Sequence, residues 1–315
     1  MKHLFTRRRF LAGAGAALTA ANAAMIAGSR ALPWRRGGFR AAHAYSGPTN
    51  PYEGLKMPEN MVLSQDGKGT VGFKDTEKLP WAPEWHKHDP DRPWPPIVTP
   101  GEPCCPDDPA FGPPEDAIVL FGGTDTDMWE PNEWIIEDGE LVANEHNLVT
   151  RDPYGDCQLH VEWSVPDPPS AERPGNQGNS GVRLMSRYEI QIYDTYNLRS
   201  YPDGIAGAVY GETPPMVHPM RPPGQWNEFD IFFTAPVFDG DEVAKPGTLT
   251  LLFNGMLAHY NTVIHGAVSY RSIASYQPHE PKEPFFLEYH GNPVRFRNIW
   301  IRPMDDLWEH VPPVA

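Results

Sequence analysis

An all-β fold is predicted for this 315-residue sequence: an antiparallel β-sandwich that follows a proline-rich extension. From Ala117 onward, short apolar or alternating runs are separated by turn-forming residues, as in sheets built from short strands. No long stretch of that region repeats its apolar residues with the 3.6-residue period of a helix. Before it, twelve prolines lie between Pro80 and Pro114, and proline can neither continue a helix nor donate to a sheet ladder.

Eleven strands are predicted along the sandwich, and the segment 156–165 alternates apolar and polar residues most clearly. In chain order they are 117–121, 134–136, 141–142, 156–165, 181–185, 188–194, 226–234, 248–253, 256–263, 285–289 and 294–302. The dipeptides Asp138-Gly139 and Asn254-Gly255 predict two-residue hairpin turns, because both positions of such turns need positive φ angles.

The N-terminus has the features of an export signal. Thr6-Arg7-Arg8-Arg9-Phe10-Leu11 is a twin-arginine pattern, an Ala/Gly-rich apolar stretch follows it, and Ala42-His43-Ala44 is a cleavage site. We therefore expect residues 1–44 to be a twin-arginine signal peptide, and the mature protein to be periplasmic or secreted without a stable membrane span. Retention as an anchor is the alternative, although the apolar stretch is short for a bilayer.

The mature chain is expected to have three parts. Residues 45–114 form the proline-rich extension, which we expect to wrap the domain because Trp81, Trp85 and Trp94 would be costly to leave in water. Residues 115–304 form the sandwich, and residues 305–315 form a C-terminal tail.

Charge restricts the partners of this protein. The formal net charge is −15, and residues 1–44 contain eight basic and no acidic residues, so the mature chain is near −23. A chain this acidic repels phosphate backbones, so no nucleic-acid partner is expected.

The cysteines are few, namely Cys104, Cys105 and Cys157. An exported protein permits disulfides, and one of the two neighbouring cysteines pairing with Cys157 would join the extension to the sandwich. Three reduced thiols are equally compatible with the sequence.

Five groups of residues, in order over about residues 115–304, resemble the 3-keto-disaccharide hydrolase domain family. These groups are 121–124 with Trp129, Trp134 and 137–141; 179–184 with 188–194; 207–211; 224–227; and 290–302. The resemblance implies a concanavalin A-like or laminarinase-like sandwich (a jelly roll) with a ligand groove on the concave face. It also implies cleavage of glycosides whose sugar carries a ketone at carbon 3, so the expected partner is a carbohydrate or an oxidised glycoside.

One position departs from the family pattern. The family commonly has Gln-Asp-His where this chain has Glu288-Tyr289-His290, so the acid beside the histidine is replaced. A lectin-like carbohydrate-binding module without catalysis is therefore the alternative function.

The predicted strand 188–194 holds the main candidates. If it is extended, Glu189 and Gln191 share one face while Ile190 and Ile192 face the core. A bulge after Ile192 would bring Asp194 to the same side as Glu189, in a spacing similar to that of the laminarinase-like catalytic strand.

Seven site residues are predicted in all. The catalytic candidates are Glu189, His290 and Asp194, and the substrate-binding candidates are Asn179, Arg183, Gln191 and Arg295.

Three chemistries are open for these residues. A ketone at carbon 3 acidifies the hydrogen on carbon 2, so Glu189 or His290 could act as a base that starts an elimination, with water added afterwards. Arg183, Arg295 or a divalent metal would then stabilise the oxyanion. Direct hydrolysis is the second route, and ordinary retaining hydrolysis of unoxidised glucans would need Glu189 and Asp194 about 5 Å apart. The candidate metal ligands are Glu189, Asp194, Glu288 and His290.

Overall fold

The computed structural model describes residues 47–101, 112–168 and 174–304. The expected signal peptide 1–44, Cys104, Cys105 and the tail 305–315 lie outside the described residues, and Cys157 is buried. Among the described residues, no helix has the length and apolar character needed to cross a membrane.

Twenty strands and one short 3₁₀-helix, Pro202–Gly204, lie in the described part of the chain. The extension contains β1 Met61–Leu63, β2 Val71–Phe73, β3 Lys78–Leu79 and β4 Ala82–His86. The first half of the sandwich contains β5 Ile118–Phe121, β6 Ile135–Glu137, β7 Glu140–Val142, β8 Leu148–Val149, β9 Cys157–Ser164, β10 Ser180–Leu184 and β11 Tyr188–Ile192. The second half contains β12 Asn227–Thr234, β13 Val237–Asp239, β14 Glu242–Lys245, β15 Thr248–Phe253, β16 Met256–Val263, β17 Ala267–Ser269, β18 Ser272–Ser275, β19 Phe286–Leu287 and β20 Arg295–Pro303.

Two antiparallel sheets form the sandwich. The large sheet has the order β16-β15-β12-β9-β20-β7-β6, with β5 also paired to β20, and the small sheet has the order β11-β10-β19-β8. The prediction of an all-β sandwich is therefore confirmed.

The core lies between the facing sides of these two sheets. Alternate residues of β9 and β12, such as Val161 and Ile231, meet Val182, Ile190 and Ile192 of the small sheet in one buried cluster. Burying each such side chain stabilises the fold by about 1.5–3 kcal/mol. Because a shift of one residue would turn Ile190 and Ile192 outward, this burial also determines the register of β11.

The two predicted hairpin turns are present. Asp138 and Gly139 have φ angles of 54° and 79° between β6 and β7, and Asn254 and Gly255 have φ angles of 50° and 72° between β15 and β16. Positive φ at both central positions is the type I′ geometry that matches the twist of the flanking strands.

The strand predicted over 188–194 ends earlier than expected, at Ile192. Its pairing with β10 runs from Ser180↔Ile192 to Leu184↔Tyr188 without a bulge. A tight turn follows, in which Thr195 N donates to Tyr193 O at 2.7 Å. The bulge that would have turned Asp194 toward Glu189 is absent from this strand.

The described part of the extension, residues 47–101, lies against the sandwich. Trp94 Nε1 donates to Ser200 O at 2.7 Å, and Trp81 stacks on His265 with ring centroids 3.9 Å apart. Main-chain contacts at Thr49↔Leu198 extend the attachment. These two tryptophans, predicted to need cover, thus gain partners on the sandwich.

Candidate active site

The outer face of the small sheet, which points away from the core, collects polar side chains. The antiparallel register places Arg183 directly opposite Glu189 and Gly181 opposite Gln191. Residues directly opposite each other in such a pair have close side chains. The alternation expected from the sequence therefore brings Arg183, Glu189 and Gln191 to one surface.

Arg183 joins two carboxylates on this face. Its Nη2 lies 2.5 Å from Glu189 Oε2 and 2.6 Å from Glu288 Oε1, and its Nε donates to Glu288 Oε1 at 2.8 Å. Both carboxylates are buried, since Glu189 is only 4% exposed and Glu288 only 5%. One guanidinium thus holds two acids in fixed orientations by charge-assisted hydrogen bonds.

His290 contacts the second of these acids. Its Nε2 lies 3.3 Å from Glu288 Oε2, in the segment that follows the end of β19 at Leu287. Tyr289 instead packs against the buried core. Position 289 lacks the acid of the family pattern, but the carboxylate of the residue before it, at position 288, contacts the histidine.

The pKa values of Glu189 and Glu288 are shifted in opposite directions. Burial, followed by the nearby Glu288 charge, raises the pKa of Glu189 well above its usual value, although Arg183 opposes this. Burial also acts on Glu288, but the hydrogen bond from His290 and the charge of Arg183 outweigh it and lower the Glu288 pKa. The pair thus contains one carboxyl with a raised pKa and one with a lowered pKa, the kind of difference that separates an acid from a base.

Gly181 makes room for this arrangement. A Cβ atom at this position would lie 2.9 Å from Glu288 Oε2 and 3.2 Å from Glu189 Oε1. Both carboxylates therefore approach the backbone of β10 more closely than any side chain there would allow.

A cavity of about 890 Å³, which we call the main cavity, opens onto this cluster. Five of the predicted site residues line it, namely Asn179, Arg183, Glu189, Gln191 and His290. Gln191 Oε1 is buried without a hydrogen-bond partner. A buried acceptor facing a cavity is suited to a hydroxyl group of a ligand, since leaving it unpaired is costly.

Two predicted residues lie elsewhere. Asp194 is buried and caps a turn, with its Oδ1 accepting from Asn197 N at 3.2 Å and its Oδ2 from Asn197 Nδ2 at 3.1 Å, and it does not line the main cavity. Arg295, on β20 of the large sheet, pairs with Glu137 at 2.6 Å and with Glu140. The structure therefore does not bring Asp194 or Arg295 to Glu189, and a retaining pair of Glu189 and Asp194 is not formed.

Two tyrosines that the sequence did not identify line the main cavity. Tyr201 Oη and Tyr210 Oη lie 3.3 Å apart. Tyr210 N donates to Glu189 O at 3.0 Å, so Tyr210 is the cross-strand neighbour of Glu189. Burial raises the pKa of both hydroxyls well above the usual value, which keeps them protonated. The available signal was the family-like segment 207–211, which contains Tyr210.

Residues of the extension pack against these tyrosines. His88 stacks on Tyr201 with centroids 4.0 Å apart, and its Nδ1 lies 3.3 Å from Asp203 Oδ1. Lys87 is buried and donates through Nζ to Ser269 O at 2.8 Å and to Ser272 O. Burial lowers the Lys87 pKa, although nearby carboxylates including Asp203 oppose this. Nothing in the local sequence signalled these contacts.

The predicted metal ligands do not form one set. Asp194 is separate, and Glu189 and Glu288 are both engaged by Arg183. Among the described residues, a group with ligand atoms within 4.8 Å of one another is formed by Glu133, Glu145 and His146, all exposed. None of those three residues lines the main cavity.

A β-sandwich with two carboxyls and a histidine in a cavity is an arrangement suited to acting on carbohydrates. Residues 116–302 match the family described as the 3-keto-alpha-glucoside-1,2-lyase-like domain. The match spans more than half of the chain, so this protein belongs to that family.

Comparison with solved structures agrees with this assignment. One from Parabacteroides distasonis ATCC 8503, described as a "putative glycosyl hydrolase", is 36% identical, with a TM-score of 0.60 over 67% of this chain and 93% of that chain. Another from the same organism, with the same description, is 19% identical, with a TM-score of 0.45 over 61% of this chain and 95% of that chain. A comparison with curated proteins found no match. The family and the first of these structures together indicate a carbohydrate-active protein.

Proposed function

We propose that this protein cleaves glycosides whose sugar carries a ketone at carbon 3, by elimination followed by addition of water. The observation that carries the proposal is the linked set Glu189–Arg183–Glu288–His290 at one cavity. It contains a buried carboxyl with a raised pKa and a histidine that a second carboxyl contacts, a pairing suited to acid–base chemistry.

His290 is assigned as the base. When Nε2–H donates to Glu288, Nδ1 carries the lone pair that can accept a proton. Its side chain is 46% exposed and lines the cavity, so a substrate can reach it. Glu288 is then the positioning residue of His290.

The proposed elimination begins at carbon 2. His290 removes the proton from carbon 2, and the electron pair forms an enolate with the carbon 3 ketone. The enolate reverts to the ketone as a double bond forms between carbons 1 and 2, and the bond from carbon 1 to the leaving oxygen breaks. Glu189 gives its proton to that oxygen. Water then adds to carbon 1 and gives a proton to Glu189, while His290 returns its proton to carbon 2, which restores both residues.

The tyrosine pair is assigned to the enolate oxygen. Of two hydroxyls bonded to each other, only one can donate to the other, so the second hydrogen is available to a ligand in the cavity. Because burial keeps both groups protonated, they act as donors near the developing charge.

The test compares a 3-keto-glucoside with its unoxidised parent, each with and without a chelator. We expect release of the leaving group from the 3-keto substrate only, and deuterium from D₂O at carbon 2 of the product. Cleavage of the parent at a similar rate would overturn the proposal. Binding of both sugars without cleavage would favour the lectin-like alternative.

We further propose that residues 1–44 direct export by the twin-arginine route. Replacing Arg7 and Arg8 by lysine should leave the precursor in the cytoplasm, as fractionation would detect. Normal export of that variant would contradict this route.

A further inference from the structure

We propose that the extension forms a binding subsite for a second sugar ring, the leaving group of a 3-keto disaccharide. This inference rests on the proposed function. The subsite, which we call the extension wall, consists of Tyr52, Lys56, Met57, Glu59 and Met61, all of which line the main cavity together with Glu189 and His290.

The extension wall is held in place rather than loosely apposed. Thr49 N donates to Asn197 O at 2.9 Å, and Arg199 N donates to Thr49 O at 2.7 Å, on the segment that follows β11. Tyr52 packs on Gly175 so closely that a Cβ there would lie 2.6 Å from Tyr52 Oη. A wall held at Thr49 and Tyr52 can present its side chains in a restricted geometry, which reduces the entropy lost on binding.

The main cavity is large enough to hold more than one sugar ring. Its 890 Å³ lies near the upper end of the range of about 300–1,000 Å³ found for pockets of drug-sized ligands. Arg183, Glu189 and Gln191 line the part formed by the small sheet. The part formed by the extension wall remains for the group attached to carbon 1.

The chemistry of the wall fits a sugar. Met57, Met61 and the ring of Tyr52 offer apolar surface for the C–H face of a pyranose, and methionine adapts its shape to such contacts. Lys56 and Glu59 supply a donor and an acceptor for hydroxyl groups. The family match begins at residue 116, so this wall lies outside the matched domain.

The test uses the full mature chain with the double variant Lys56→Ala/Met57→Ala. Leu55→Ala is the matched control, because Leu55 lies in the same loop, is 54% exposed and does not line the cavity. The readout is the ratio of kcat/KM for a 3-keto disaccharide to kcat/KM for methyl 3-keto-glucoside. We expect the double variant to lower this ratio at least tenfold and the control to leave it within twofold. An unchanged ratio in the double variant would overturn the inference.

A second readout separates this inference from the proposed function. If the wild-type protein cleaves neither 3-keto substrate, the proposed reaction fails, but binding of the unoxidised disaccharide and of methyl glucoside can still be measured by calorimetry. The extension wall predicts at least tenfold tighter binding of the disaccharide, lost in the double variant and kept in the control. Equal binding of both sugars by the wild-type protein would refute the wall on its own.

Discussion

The two sheets of the sandwich each carry a charged cluster with the same kinds of residues on the side facing away from the core. The site cluster is Arg183, Glu189, Glu288 and His290 on the small sheet. The outer cluster, on the large sheet, is His160, Glu162, Asp230 and Arg297. Composition alone does not distinguish these two groups.

The pKa shifts of their residues do distinguish them. In the outer cluster, His160 Nδ1 lies 2.7 Å from Asp230 Oδ1 and Arg297 Nε lies 2.6 Å from Glu162 Oε2, so two cations face two anions. Burial lowers the His160 pKa, but hydrogen bonds to Asp230 and Glu162 raise it to about 9. Burial is similarly outweighed at Glu162, whose pKa falls to about 2. His160 and Glu162 are therefore both ionised near neutral pH.

The site cluster has two buried carboxyls that share one arginine, and burial together with the charge of Glu288 raises the pKa of Glu189. It also opens onto the main cavity, whose lining includes none of the four outer-cluster residues. In two clusters with the same kinds of residues, the pKa values of the acids thus depend on their surroundings: the site cluster lies at a cavity, whereas the outer cluster forms its ion pairs away from it.

The largest expected effect comes from Glu189→Gln, which removes the proposed acid without changing size. We expect kcat/KM on a 3-keto-glycoside to fall by about 10³-fold, within the range of general acid–base catalysis. Glu162→Gln is the matched control in the outer cluster, and it should lower the melting temperature while leaving kcat/KM within about twofold. Equal losses of activity in both variants would contradict the proposal that the site cluster, and not the outer cluster, takes part in the reaction.

His290→Ala should lower kcat by about 10²-fold, because the proposed base is lost while the fold is kept. Glu288→Gln should lower kcat less and should alter the pH profile of kcat/KM, since Glu288 acts through His290. Steady-state kinetics over pH 5–9 test both variants. A Glu288→Gln profile identical to that of the wild type would contradict the positioning role.

Gly181→Ala should lower kcat/KM by about 10–100-fold, because the new Cβ would displace the carboxylates of Glu288 and Glu189 from their positions. Gly122→Ala is the control, since its Cβ would meet its nearest atom at an ordinary 3.4 Å. Kinetics together with melting temperatures separate misplacement from unfolding. Full activity in Gly181→Ala would show that the close approach is unnecessary.

The outer cluster should make stability depend on pH. Because the His160 pKa is raised to about 9 in the folded protein, its stabilising contribution is complete below its unfolded pKa of about 6.5 and is lost as pH rises through 9. The excess unfolding free energy of wild type over His160→Gln should therefore shrink by about 2–3 kcal/mol between pH 6 and pH 9.5. Urea titrations at both pH values measure this change, and a constant difference would exclude the ionised histidine.

The smallest effect is expected for Arg295→Ala. Arg295 pairs with Glu137 and Glu140 at a partly exposed position away from the main cavity, and such surface pairs contribute about 0–1 kcal/mol. We expect kcat/KM within twofold of the wild type and a slight loss of stability. A tenfold loss of kcat/KM would show that Arg295 takes part in the active site.

Local pattern was sufficient for several features. The sequence by itself determined the strand class, the two type I′ turns, and the shared face of Glu189 and Gln191, because side chains of a strand alternate with a period of two. The family-like segments also identified Asn179, Arg183 and His290, which line the main cavity.

Only the tertiary structure decided which other segments meet that face. Asp194 depended on a bulge whose presence no local rule dictates, and Arg295 lies on the other sheet. Lys87 and His88 support the cavity by contacts with residues more than a hundred positions away along the chain, and Tyr201 and Tyr210 meet at the cavity through their hydroxyls. Strand alternation determines the direction of a side chain, but long-range burial determines what it faces, and in this protein that burial is also the largest cause of the raised pKa of Glu189.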